Sequence, residues 1–181
     1  MATIHLVVVR HAEAEAGSIF GDDSQRRLTL RGEREANALG RYRKLMSLPP
    51  PDVVFTSGFE RAEQTLERVL EGISLRVVRD LQFSPEGSVR KAWELIQDEA
   101  RQTTEIAGRL PAFWVVGHNP SIERLLSTLS GEIGAVLRPF RKASLAWLKV
   151  RDIETEHPSA ELVAYLPRPH DDRERNAQPD A

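Results

Sequence analysis

The 181-residue chain has no cysteine, which excludes disulfides and thiolate-bound metals. It has no excess of either charge. Its 25 Lys and Arg stand against 27 Asp and Glu, for a formal net charge of -2. That balance argues against a nucleic-acid binder working through bulk charge. No apolar run approaches the ~18 residues that a membrane span needs. With a strand-like run starting at Ile4, no secretory leader is expected. Aromatic residues are scarce, at 6%, so Trp93, Trp114 and Trp147 read as core residues and not as a base-stacking platform. These absences leave a single-domain, cytoplasmic protein with no membrane or nucleic-acid partner as the expectation. The length suffices for a proper core.

What is present is organised around Ile4 to Gly17, IHLVVVRHAEAEAG. Ile4, Leu6, Val7, Val8 and Val9 are apolar on both faces of a strand, as in a buried parallel sheet. The run ends in Arg10-His11, where open α/β sheets place their ligand sites. Arg10 is a permanent cation whose planar fork fits phosphate or carboxylate. His11 can serve as nucleophile, base or acid. The bland alternative is an ion pair at a strand end, with Glu13 and Glu15 as partners.

Further along, Thr29 reads as the N-cap of a helix that carries Ala36, Leu39, Tyr42, Leu45 and Met46 as its apolar stripe. Pro49-Pro50-Pro51 stops it. DVVFTS, from Asp52, is a second buried strand, and Ser57 to Glu60 has the form of a capping box. The helix that follows buries Ala62, Leu66, Val69 and Leu70 and ends at Gly72. Leu75 to Val78 is a short third strand, and Ser84-Pro85 is one possible helix start. Val89, Ala92, Trp93 and Ile96 are in helical register. FWVVG, from Phe113, is a fourth strand running into His118-Asn119-Pro120, with Asn119 as N-cap and Pro120 as first helical residue. Ile122, Leu125, Leu126 and Leu129 form the buried stripe of that helix. A loop from Gly131 holds Arg138, Arg141 and Lys142, read as a solvated face. SLAWLKV and AELVAYL form an antiparallel pair. The expected fold is a single three-layer α/β/α domain over residues 1–166. Its sheet is mainly parallel, with helices on both faces and an antiparallel C-terminal strand pair. Residues 167–181, almost without apolar side chains, read as a disordered tail.

Three strand ends look alike. The first carries Arg10 and His11, the second Ser57 with Arg61 one turn later, and the fourth His118 directly before a helix. In a parallel sheet these face one edge. Two imidazoles and two guanidiniums beside helix N-termini suit an anion, and above all a phosphoryl group. His11 can attack phosphorus and carry the group covalently. Arg10 and Arg61 would hold the equatorial oxygens, with His118 as a further donor. Water would then release phosphate. The remaining histidines read as structural or solvated: His5 is ~20 Å along the strand from His11, and His157 and His170 lie in the terminal connection and tail.

VVVRHAEAE, SGFERAEQT and VVGHNPSIE, together with RRLTLRGEREA, resemble in this order the histidine phosphatase superfamily, phosphoglycerate-mutase-like, and within it the small phosphohistidine phosphatase branch. The resemblance implies His11 as nucleophile, Arg10 and Arg61 as phosphate ligands and His118 as the second histidine. Arg26 falls where that branch has another pocket arginine, and Ser57 is assigned with Arg10, Arg61 and Arg26 to substrate binding. No metal and no cofactor are expected, and activity should survive chelation. Ala12 stands in place of the superfamily's glycine and keeps small size. The segment after the third strand, Leu81-Gln82-Phe83, has no acid where mutases and many phosphatases carry one. Glu86 is the nearest candidate. The expected activity is removal of phosphoryl groups from phosphohistidine on a protein partner. The alternatives are a small-molecule phosphomonoesterase of the same superfamily and a non-catalytic phosphate binder on this fold.

Overall fold

The computed structural model describes residues 2–17, 21–103, 109–155 and 158–169. Among these, six strands form one sheet: β1 Ile4–Arg10, β2 Val53–Thr56, β3 Val77–Arg79, β4 Ala112–Gly117, β5 Leu145–Arg151 and β6 Ser159–Leu166, in the order β3-β2-β4-β1-β5-β6. The first four strands run parallel. β5 is antiparallel to β1, and β6 is antiparallel to β5. The helices are α1 Leu30–Leu45, α2 Glu60–Val69, α3 Val89–Gln102, α4 Ser121–Leu129 and α5 Gly131–Val136.

β1 shows why the sheet is covered on both sides. Ile4, Leu6 and Val8 point into one apolar cluster, with Trp93 and Ile96 of α3 and Leu125 and Leu126 of α4. Val7 and Val9 point into the other, with Ala36 and Leu39 of α1 and Leu66 and Val69 of α2. A strand apolar at every position needs a helical layer on each face. The three-layer, mainly parallel fold expected from the sequence is the one observed.

Local expectations are met unevenly. The Thr29 hydroxyl caps α1, accepting from Gly32 N. Ala36 and Leu39 are buried, but Tyr42, Leu45 and Met46 are exposed, against expectation. The helices touch closely at Gly40, where a Cβ would lie 2.7 Å from the Arg68 carbonyl oxygen. Arg43 Nε donates to Val69 O, at the last residue of α2. α1 outruns its neighbour, and its last apolar residues are exposed.

β3 begins two residues later than predicted. Ser84-Pro85 starts no helix, and α3 is capped by Ser88. The loop expected from Gly131 is helix α5, capped by the Ser130 hydroxyl. His157, His170 and the rest of the expected tail from residue 170 lie outside the described residues. Within that tail, Arg168 is paired: its Nη2 lies 3.0 Å from Glu13 Oε2 and 2.5 Å from Glu35 Oε1.

These contacts bear on the loop after β1. Glu13 N donates to Glu35 Oε2, and the Thr29 hydroxyl donates to Glu13 Oε1. Helix α1 presses on that loop at Gly32, where a Cβ would lie 1.9 Å from Glu13 O. Gly32→Ala is therefore expected to destabilise the fold by about 1–3 kcal/mol, the range for forced overpacking. Chemical denaturation measures it, and an unchanged midpoint would mean that the loop has room to move.

Candidate active site

The sheet register brings the strand ends together. Arg10 pairs with Gly117 across β1 and β4, and Thr56 pairs with Val116 across β2 and β4. The next residue of each strand, His11, Ser57 and His118, therefore emerges on one edge of three neighbouring strands. His11 N donates to Gly117 O at 3.0 Å. The Ala143 N–H faces the carbonyls of Arg10 and His11, each at 3.2 Å. The His11 backbone is thus held from both sides.

The two imidazoles face each other with ring centroids 4.9 Å apart. Both are buried, His11 at 6% and His118 at 1% exposure. His11 Nδ1 lies 2.7 Å from Ala12 O. A carbonyl only accepts, so Nδ1 carries the proton and Nε2 keeps its lone pair. His118 Nε2 lies 2.7 Å from the Ser57 hydroxyl, which also accepts from Phe59 N at 3.2 Å. Ser57 is occupied in this way, and the predicted capping box does not form: α2 begins at Glu60 with no side-chain cap. The His118 and Phe59 rings meet edge to face, with centroids 5.1 Å apart.

Arg61, only 3% exposed, lies with its guanidinium carbon 5.0 Å from the centroid of the same Phe59 ring. Its Nη1 donates to Asp23 O at 2.6 Å and its Nη2 to Asp23 Oδ2 at 2.7 Å. Arg26 meets the same carboxylate through Nη1 at 2.7 Å, and its Nε donates to Glu15 O. Arg10 Nη1 donates to Phe140 O at 2.8 Å. That carbonyl also accepts from Asn119 Nδ2, and Glu123 Oε1 accepts from both Asn119 Nδ2 and Phe140 N. Asn119 is thus a brace for the Phe140 segment and not the predicted cap; α4 starts after Pro120, at Ser121. Glu123 shares that brace.

Among the described residues, four polar atoms of this cluster are buried without a partner: Arg10 Nε, Arg61 Nε, His118 Nδ1 and Asn119 Oδ1. Unpaired buried polar atoms are uncommon in folded proteins. Among the described residues, no group of three or more His, Cys, Asp or Glu is placed to hold a metal ion. Glu86 is exposed, its Oε2 3.5 Å from the Ser84 hydroxyl. Leu81–Phe83 form a single tight turn, with Leu81 on the surface and Phe83 in the core.

Burial, reinforced by Arg61, Arg10 and Lys142, lowers the pKa of His11 to about 3. Burial, with His11 and Arg61, lowers that of His118 to about 2, while Asp23 acts in the opposite sense. Both rings are therefore neutral at neutral pH. In the unfolded chain each would titrate near ~6.5. A folded value below the unfolded one gives stability that is complete above the unfolded pKa and is lost as pH falls below it. The melting temperature is expected to drop from pH 6.5 downward, ahead of the carboxylates. His118→Asn should flatten that drop, and a slope unchanged in this variant would mean that the ring is not held neutral.

The sequence singled out His11, His118, Arg10, Arg61, Arg26 and Ser57, and the fold assembles all six. Two residues escaped it. A sequence offers no sign that Asp23 would meet Arg61, 38 positions away. Lys142 was read as solvated, yet it is half-buried and its charge is felt by His11.

Residues 6–84 match the model of the histidine phosphatase superfamily (branch 1). No curated protein sequence matches the chain significantly. Among solved structures, the protein histidine phosphatase SixA complexed with tungstate superposes with a TM-score of 0.74 at 22% identity, covering 91% of this chain and 97% of that one. The candidate phosphohistidine phosphatase SixA from Nakamurella multipartitia gives 0.73 at 27% identity, covering 93% and 98%. A mutant phosphoserine phosphatase from Entamoeba histolytica, in complex with phosphoserine, gives 0.62 at 16% identity, covering 90% and 96%. The matched segment contains Arg10, His11, Arg26, Ser57 and Arg61, and the fold is shared over nearly the whole length. Over residues 6–84 the chain is similar to the histidine phosphatase superfamily.

Proposed function

We propose that this protein is a metal-independent phosphatase that takes phosphoryl groups from phosphohistidine on proteins and passes them through His11. The observation that carries the proposal is the neutral His11 with Nε2 unprotonated, packed against His118 beside Arg10 and Arg61 and their unpartnered Nε atoms. In the first step the Nε2 lone pair forms a bond to phosphorus. The P–N bond of the substrate breaks, and its electron pair returns to the leaving imidazole. In the second step water oxygen bonds to phosphorus, the P–Nε2 bond breaks, and a water proton leaves with the products. Arg10 and Arg61 offset the charge on the transferred oxygens in both steps. His118, oriented by Ser57, supplies a further polar contact.

The choice of a P–N bond rests on the proton inventory. Expulsion of an alkoxide needs an acid to protonate it. A phosphohistidine ring can be protonated on its other nitrogen in solution and then leaves as neutral imidazole. Among the described residues, no carboxyl group suited to proton donation stands at the two histidines. Glu86 is on the surface, and Arg26 and Arg61 hold the Asp23 carboxyl below its usual range. Initial rates are expected to fall in the order phosphohistidine protein or phosphoramidate, then aryl phosphate, then alkyl phosphate, with Glu86→Gln nearly silent. The phosphoserine-bound neighbour keeps a phosphomonoesterase reading in view. Faster turnover of alkyl or sugar phosphates, abolished by Glu86→Gln, would decide for it.

A further inference from the structure

The carboxylate of Asp23 takes no part in the reaction proposed above, yet it sits on the arginine that reaction needs. Both terminal nitrogens of Arg61 are engaged by one residue, Nη1 by the Asp23 carbonyl and Nη2 by Asp23 Oδ2. The other carboxylate oxygen holds Arg26 Nη1. Asp23 is also close enough to His118 to oppose the lowering of that ring's pKa. A negative oxygen pair therefore already bridges two of the guanidiniums assigned to phosphate. Two planar cations around a charged oxygen pair is the bonding that a phosphoryl group would itself make.

Only one of the two partners is free to give way. Arg61 is fixed: it is 3% exposed and packed on the Phe59 ring. Asp23 is not: its side chain is 54% exposed, and it opens a one-turn 3-10 segment, Asp23–Gln25. The backbone bonds of that turn are few, Gln25 N to Asp22 O and Arg26 N to Asp23 O. A phosphoryl dianion brought to Arg61 would meet the carboxylate at close range in a partly dry site, where like charges repel strongly.

We propose that Asp23 is an internal anion that occupies the Arg61 fork in the free protein, is displaced by the phosphoryl group, and thereby sets the affinity of the site for phosphate. The inference rests on the phosphoryl-binding reading of the site. Its consequence is weak retention of the product. Inorganic phosphate has to win Arg61 from a tethered competitor, and the competitor returns when it leaves. Apparent affinity is scaled by the fraction of molecules in the open state. If about a tenth of the molecules are open, removing the carboxylate tightens binding about tenfold.

The test is calorimetric titration of the full chain with inorganic phosphate, for the wild type, Asp23→Asn and Asp23→Ala. Exposure of Asp23 makes misfolding of both variants avoidable, and thermal melts check it. Expected is a Kd about tenfold lower in both variants, with KM for an aryl phosphate falling in parallel and kcat not rising. An equal or higher Kd in the variants would make Asp23 a positioning residue for Arg61 and overturn the inference, while leaving the phosphoryl site intact. Absence of phosphate binding in all three proteins would overturn the phosphoryl site itself.

Discussion

His11→Ala is expected to reduce turnover by ~10⁴-fold or more, the scale for removing a nucleophile on which a covalent route depends. The geometry makes the substitution selective. The ring makes one hydrogen bond, to Ala12 O, and its backbone is fixed independently by Gly117 and Ala143. Loss of the ring also removes a desolvated imidazole lying among cations. The variant should therefore fold, and its melting temperature should change far less than its rate. Arg10, Arg61 and His118 remain, so it should still bind phosphate. Rapid quench followed by mass spectrometry should find a phosphorylated His11 in the wild type and none in the variant. Retention of more than a few per cent of wild-type turnover in His11→Ala would end the covalent mechanism.

Arg61→Ala should lower kcat/KM by ~100-fold or more, the scale for one preorganised charge-stabilising donor in a water-poor site. Lysine should restore little. The guanidinium is set by the Phe59 ring and by the buried side of α2. A lysine ammonium is a single point with no plane to lie on the ring and no fork to span two oxygens. A charge at the wrong place in a preorganised site contributes little to a developing negative charge elsewhere. Steady-state kinetics on Arg61→Ala and Arg61→Lys decide the matter. Full activity in the lysine variant would make Arg61 a structural anchor for Asp23 and leave Arg10 as the only phosphate clamp.

The two variants differ in what they leave behind. Without His11 the arginines and Asp23 are intact, so binding survives and chemistry stops. Without Arg61, Asp23 keeps Arg26 as its one cationic partner at hydrogen-bond distance. Phosphate affinity and rate should then fall together.

The sequence alone determined the layers and the strand ends of this protein. Both signals are periodic and local. Every position of Ile4 to Val9 except His5 is apolar, which dictates cover on both faces. Each of the polar residues Arg10-His11, Ser57 and His118 directly follows such a run. Parallel order then sends them to one edge, whatever the details of the helices. The cap at Thr29 was legible for the same reason, since its partner is three residues away.

What the sequence left open depends on which distant surfaces meet. Tyr42, Leu45 and Met46 continue the apolar stripe of α1, but α2 ends beside Arg43 and they are left exposed. Ser57 has the spacing of a helix cap, yet its hydroxyl is taken by His118, 61 residues on. Asn119 looks like a cap and braces Phe140. Arg168 looks like part of a tail and ties down Glu13 and Glu35. Asp23 looks like a loop residue and holds the arginine of the site. In each case a polar or apolar group had several partners of similar intrinsic strength, and the fold chose among them by proximity. A hydrogen bond or ion pair gains little over water unless its partners are already held in place. Only the packed tertiary structure holds them, and so only it decided the pairings.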